Sequence, residues 1–154
     1  MRLPKTLFVL FLLSVCCPLT HAQTTSTLQI SNARVREAPP AAAVNAGYME
    51  FVNTGESTVT INAVSSPDFD AAEIHQTVID KGIAKMLPVD KLEIPAKGSI
   101  TLEPGDLHLM LFGAQHPVLA GETVTIIIHY GSGDPDTVSA PVIRMSGDDH
   151  SHHH

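Results

Sequence analysis

Residues 75–110 read HQTVIDKGIAKMLPVDKLEIPAKGSITLEPGDLHLM, and no helical period runs through them. Short apolar or alternating segments are separated by turn formers instead. Residues 72–79 and 83–89 read as two strands joined through Asp80-Lys81-Gly82, a Gly-containing connection that signals a hairpin. Residues 91–94 form a further strand stopped by Pro95, and Ala96-Lys97-Gly98 turns the chain again. Residues 99–102 and 107–112 flank Pro104-Gly105-Asp106, a strong turn tripeptide. Within the last of these strands Leu107, Leu109 and Leu111 alternate with His108 and Met110, so the leucines take one face and the His/Met row the other.

The same grammar extends outward in both directions. Residues 28–36, 47–52 and 58–64 read as strands, the third rich in β-branched residues. Pro39 and Pro40 interrupt any ladder between the first two, so residues 38–43 are a loop or a bulging edge. Ser65-Ser66-Pro67-Asp68 is a turn, and residues 123–130 and 138–145 supply the last strands. Nine or ten short strands with turn signals every eight to twelve residues predict an all-β fold, a β-sandwich or Greek-key barrel, as one domain without internal repeats. Composition agrees: 44% apolar and 16% charged residues suit a globular core, and ten glycines with 11 prolines supply many turns.

The first 22 residues stand apart. Arg2 and Lys5 precede an apolar run over residues 6–15, and Thr20-His21-Ala22 ends it with a small residue before Gln23. This pattern predicts a cleaved secretory signal, residues 1–22, with a run too short to span a bilayer. The alternatives are an uncleaved anchor and lipidation at Cys16, where Leu13-Ser14-Val15-Cys16 resembles a lipoprotein cleavage site with Val15 too large for its position. Cleavage after Ala22 removes both cysteines, Cys16 and Cys17. The exported chain then has no thiolate, which excludes a blue-copper electron-transfer centre. It would carry seven basic and 16 acidic residues, a net of −9, with no basic cluster for nucleic acid or anionic membrane. The tail, residues 146–154, has no apolar residue and reads as disordered; His150, His152, His153 and His154 could take Cu(II), Zn(II) or Ni(II), unless they are an expression tag.

His75, Met86, His108 and Met110 are the candidate ligands of one metal site. Imidazole and thioether form a soft-leaning set, and thioethers favour Cu(I) over zinc or hard cations. A tight hairpin puts His75 opposite Met86 or one step away, and strand alternation puts His108 and Met110 on one face. Each half is internally consistent; pairing and alternation alone do not join them. Met49 and Met145 read as core residues, His116 and His129 as structural or solvated ones, and Glu73 as a solvated acid or a partner of His75. No Ser/His/Asp set, phosphate loop or pair of catalytic carboxylates accompanies the four.

The spacing His75-x10-Met86-x21-His108-x-Met110 resembles the motif of the periplasmic copper chaperone family PCuAC, in all four ligands and all gaps. Ala46-Gly47-Tyr48 leading to Asn53, Ile74-His75 before the Gly82 turn, the run 102–111 (LEPGDLHLML) and Gly121-Glu122 are also similar to that family. The resemblance covers residues 28–145 and implies a cupredoxin-like β-sandwich that binds Cu(I) through the four residues. It further implies a periplasmic monomer that delivers copper to cytochrome c oxidase at its CuA site. Its partners would be the oxidase's copper-bearing subunit and a thioredoxin-like copper assembly protein, with Cu(II) a further expectation for the tail. Rival readings are copper sequestration for tolerance, a copper oxidase needing an open coordination position, and a plain secreted β-sandwich that binds proteins.

Overall fold

The structure is a computed structural model that describes residues 27–39 and 42–144. The expected signal segment, Met145 and the His-rich tail lie outside these residues. Ten strands follow one another: β1 (Leu28–Arg36), β2 (Val44–Asn53), β3 (Val59–Ser65), β4 (Phe69–Asp80), β5 (Ile83–Pro88), β6 (Leu92–Ile94), β7 (Ser99–Leu102), β8 (Leu107–Ala114), β9 (Thr123–Tyr130) and β10 (Asp136–Ile143). Hydrogen bonding runs β5-β4-β8-β2-β1-β10-β9-β3-β6, with β7 beside β2 and an added β3–β4 pairing. That last pairing returns the sheet to β4, so β4, β8, β2, β1, β10, β9 and β3 close a barrel. The expected all-β, cupredoxin-like Greek-key architecture is the one observed.

Closure is uneven. β3 meets β4 through the single pair Val64–Ala72, and a cleft of about 510 Å³ opens at this seam between Ile61–Val64 and Ala72–Ile74. All strand pairs are antiparallel except β1–β10. β5 sits outside the closed ring, along the β4 edge opposite β8 and beyond the point where β3 meets it.

Alternation places the core. In β9, Val124, Ile126 and Ile128 are buried while the residues between them face outward, the period-2 pattern of a one-sided strand. Leu109 and Leu111 of β8 join Phe51, Val35, Ile94 and Leu102 in the interior, all fully buried. Burial of each such side chain contributes about 1.5–3 kcal/mol. The two long strands begin earlier than their sequence pattern suggests. Val44–Gly47 pair with β8 from Phe112 to Leu109, and Phe69 pairs with Ala114, so partners extend strands that local alternation leaves ragged.

One buried polar side chain ties turns to this core. Asn53 is 1% exposed. Its amide nitrogen donates to the carbonyls of Ser57 (2.8 Å), Pro95 (3.0 Å) and Ile94 (3.1 Å), and its oxygen accepts from the Gly55 N–H (2.9 Å). The turn after β2 and the end of β6 are thereby held to one another.

Candidate metal centre

Three adjacent strands, β5, β4 and β8, carry the four candidate ligands. The β4–β5 turn is the two-residue Lys81-Gly82, with φ of +51° and +81°. Both central residues are left-handed, as a type I′ hairpin demands, and glycine meets that demand without strain. Asp80 therefore pairs with Ile83, His75 with Pro88, and Thr77 with Met86. The direct or one-step pairing of His75 with Met86 expected from sequence is corrected to a diagonal one, two residues off. The two-residue offset keeps the face of the direct pairing, so Met86 shares the face of Thr77 and hence of His75, whereas a one-step offset would have turned it away. Diagonal neighbours of this kind are about 7–8 Å apart at the backbone, within reach of a long side chain.

The other half of the site joins directly. β4 pairs with β8 so that His75 lies opposite His108, and Glu73 opposite Met110. All four candidates thus occupy one face of a three-strand patch, on the outside of the barrel, while Ile74, Leu109 and Leu111 fill the inside. The link that sequence pairing could not make is this β4–β8 register.

The histidine geometry suits a shared ion. The ring centroids of His75 and His108 are 6.3 Å apart. With metal–nitrogen bonds of about 2.0 Å, two imidazoles on one ion have centroids roughly 5 Å apart at a tetrahedral angle and roughly 6.2 Å apart when collinear, so a four-ligand ion would draw these rings together by about 1 Å. Each ring also has one nitrogen engaged. His75 Nε2 is 2.7 Å from Glu73 Oε2, and His108 Nδ1 is 2.9 Å from the Asp106 carbonyl oxygen. A carbonyl only accepts, so His108 carries its proton on Nδ1 and keeps a lone pair on Nε2. For a neutral His75, donation to the Glu73 carboxylate leaves the lone pair on Nδ1. That Nδ1 is buried and has no hydrogen-bond partner. A buried polar atom left so costs about 1–3 kcal/mol, which a bound cation would offset.

Among the described residues no three His, Cys, Asp or Glu side chains gather as a metal cage. On the same face, beside Glu73, Thr77 and Phe112, lie the thioethers of Met110 and Met86, the soft donors that could complete the set. Exposure is graded across the set. His108 is 6% exposed and the His75 side chain 11%, Met110 is half-buried, and Met86 is 55% exposed on a strand with no buried residue.

Some participants were not singled out by sequence reading. Asp106 acts through its backbone carbonyl, which no residue-type signal marks. Phe112 approaches the His75 ring at 6.3 Å; it lies in the same alternating row as His108 and Met110, the one signal that could have found it. Glu73 was foreseen as a possible partner and takes that role. The other histidines among the described residues stay structural: His129 Nε2 is 2.7 Å from the Ser65 hydroxyl, and the exposed His116 bonds the Pro117 carbonyl and Asp68. Met49 is a core residue. His150, His152, His153 and His154 lie outside the described residues.

Known proteins share this architecture. The family model described as “Putative lipoprotein LpqE-like” matches residues 28–142. The “Putative lipoprotein Lxx21020” of Leifsonia xyli subsp. xyli is 29% identical over 121 residues, 78% of this chain and 72% of that protein. The solution structure of Cu(I)-DR1885 from Deinococcus radiodurans is 30% identical, with a TM-score of 0.64 over 80% of this chain and 82% of that one. The apo PCuAC domain from PmoF1 aligns with a TM-score of 0.66 over 77% of this chain and 95% of that domain, a likeness of fold at 18% identity.

Proposed function

The chain belongs to the LpqE-like family, of PCuAC type, and on that premise we propose that it is a copper chaperone holding one Cu(I) through His75, Met86, His108 and Met110. The observation that carries this reading is the facing histidine pair, each ring with one nitrogen engaged and the other free to bind, beside two thioethers on the same face. Neutral imidazole and thioether ligands hold Cu(I) without a thiolate, so the site suits an oxidising compartment. Four protein ligands leave no position for a substrate, which favours carriage over catalysis.

The proposed place of work is the periplasm, reached through the signal at residues 1–22. The lipoprotein descriptions of its relatives support export and make Cys16 the position to inspect: the mass of the exported chain separates cleavage before Gln23 from lipidation. The proposed recipient is the copper-bearing subunit of cytochrome c oxidase at its CuA site, with a thioredoxin-like copper assembly protein as co-worker. Cu(II) at His150, His152, His153 and His154 belongs to the same reading.

Cu(I) titration of the exported chain against a competing chelator is the test. One tight Cu(I) per chain is expected, with clear weakening in Met86→Leu and His108→Ala; unchanged affinity in both overturns the site. Transfer from the loaded protein to an apo CuA domain separates delivery from sequestration.

A further inference from the structure

We infer that Glu73 is a positioning residue for the metal site: through His75 Nε2 it fixes the ring so that His75 ligates by Nδ1, while His108 ligates by Nε2. The inference rests on the proposed Cu(I) site and deepens it, since nothing in the motif spacing says which nitrogen of either histidine faces the ion.

The argument starts from register. Glu73 and His75 are two residues apart on β4 and so share the face on which Met110 and His108 lie opposite them. The Glu73 carboxylate reaches along the strand to His75 Nε2 at 2.7 Å. It is the only carboxylate paired with His75 among the described residues' ion pairs, and its own side chain is half exposed, so the contact is not imposed by close packing around Glu73. The consequence falls on the other side of the ring. Nδ1 is enclosed by protein yet meets no donor or acceptor. Held with its proton on Nε2, His75 presents on Nδ1 a lone pair that no protein donor uses and that a cation can take.

His108 is arranged in the opposite sense. Its Nδ1–H is held by the Asp106 carbonyl at 2.9 Å, an acceptor that also takes the Thr77 N–H at 3.2 Å. Asp106 closes the turn before β8, and Thr77 is the residue opposite Met86. One carbonyl therefore ties the orientation of His108 to the hairpin that carries Met86. The two imidazoles are oriented by different kinds of anchor, a carboxylate for one and a backbone carbonyl for the other. Only the first can be removed by a side-chain substitution without altering a ligand. Outer partners of metal-binding histidines typically contribute 10–100-fold to affinity.

The test is long-range 1H–15N correlation NMR on the uniformly 15N-labelled exported chain, with and without Cu(I) under anaerobic conditions, alongside the chelator competition. In the apo protein His75 is expected to show the Nε2–H tautomer and His108 the Nδ1–H tautomer. On loading, the resonances of His75 Nδ1 and His108 Nε2 should move. Glu73→Ala should lose the single-tautomer pattern at His75, leave that of His108, and weaken Cu(I) at least tenfold; Glu73→Gln, whose amide oxygen can still accept from Nε2–H, should restore most of both. Backbone spectra of each variant report whether the barrel is intact. Ligation of His75 through Nε2, or unchanged tautomer and affinity in Glu73→Ala, overturns the inference. If instead His108→Ala and Met86→Leu also leave Cu(I) binding unchanged, it is the four-ligand site that fails. A loss in those two variants with none in Glu73→Ala refutes Glu73 alone.

Discussion

Exchanging two neighbouring residues of β5, Met86→Leu with Leu87→Met, moves a thioether across the hairpin without changing composition. Met86 pairs with Thr77 and so shares the His75 face, whereas Leu87 pairs with Gln76 and points the other way. The two side chains are 55% and 49% exposed, and β5 buries nothing. The swap should therefore shift folding free energy by no more than about 0.5 kcal/mol, the range for surface substitutions away from special features. Its effect on metal should be large. Losing one of the four proposed ligands ought to cost at least the tenfold that losing an outer partner costs, about 1.4 kcal/mol in binding free energy. Chelator competition measures the second quantity and urea unfolding the first. The swap should bind Cu(I) as weakly as Met86→Leu alone. Adding Thr77→Met to Met86→Leu, which places a thioether on the correct face two residues from His75, should recover part of the loss. Parental affinity in the swap would show that the hairpin face does not define the ligand set.

Other substitutions probe the scaffold. Asn53→Leu removes the groups that satisfy the Gly55 N–H and the carbonyls of Ser57, Ile94 and Pro95, and should cost about 2–4 kcal/mol in urea unfolding at roughly 1 kcal/mol per hydrogen bond plus the groups left unpaired. Leu109→Ala empties a fully buried position directly behind His108 and Met110, with an expected loss of about 2–5 kcal/mol and a broadened NMR signature for both site residues. His116 should titrate above its ordinary value of 6.5, because the Pro117 carbonyl and then Asp68 hold its protonated form. Its folded pKa is raised, so whatever stability it lends is present at low pH and is lost as pH rises through that pKa. Asp68→Asn should lower the NMR midpoint while the Pro117 contribution remains.

The sequence carried much of this because its signals are local. The Gly82 turn, the Pro104-Gly105-Asp106 turn and the Leu107/Leu109/Leu111 alternation each depend on a few adjacent residues, and each appears where expected. The hairpin register was off by one pairing step because a two-residue and a three-residue connection read alike until the φ values of Lys81 and Gly82 are known. The face depends on that step: a three-residue connection would pair His75 with Leu87 and turn Met86 away, and the two-residue Lys81-Gly82 turn is what returns Met86 to the His75 face. The pairing of β4 with β8 was not legible from alternation, since a strand carries no mark naming its neighbour; only the family resemblance anticipated it. Glu73 was visible as an acid two residues from a histidine, but choosing it over other exposed acids required the 2.7 Å contact.

The gradient of exposure across the four candidates bears on how a carrier of this kind would let go. His108 and His75 are nearly enclosed, Met110 is intermediate, and Met86 stands on an edge strand that contributes nothing to the core. A recipient's ligand can approach from the Met86 side without opening the barrel, so exchange should begin by displacement of that thioether while the histidines still hold the ion. Two variants separate this order from a simple loss of affinity. Met86→Leu should raise the rate of Cu(I) transfer to an apo CuA domain, because the position it vacates is the one an incoming ligand needs. His108→Ala should weaken binding more, yet accelerate transfer less per unit of affinity lost, because the vacated position is enclosed. Stopped-flow transfer rates plotted against measured affinity for the two variants give the answer: a single line through both would mean that release follows affinity alone and that the exposure of Met86 plays no part.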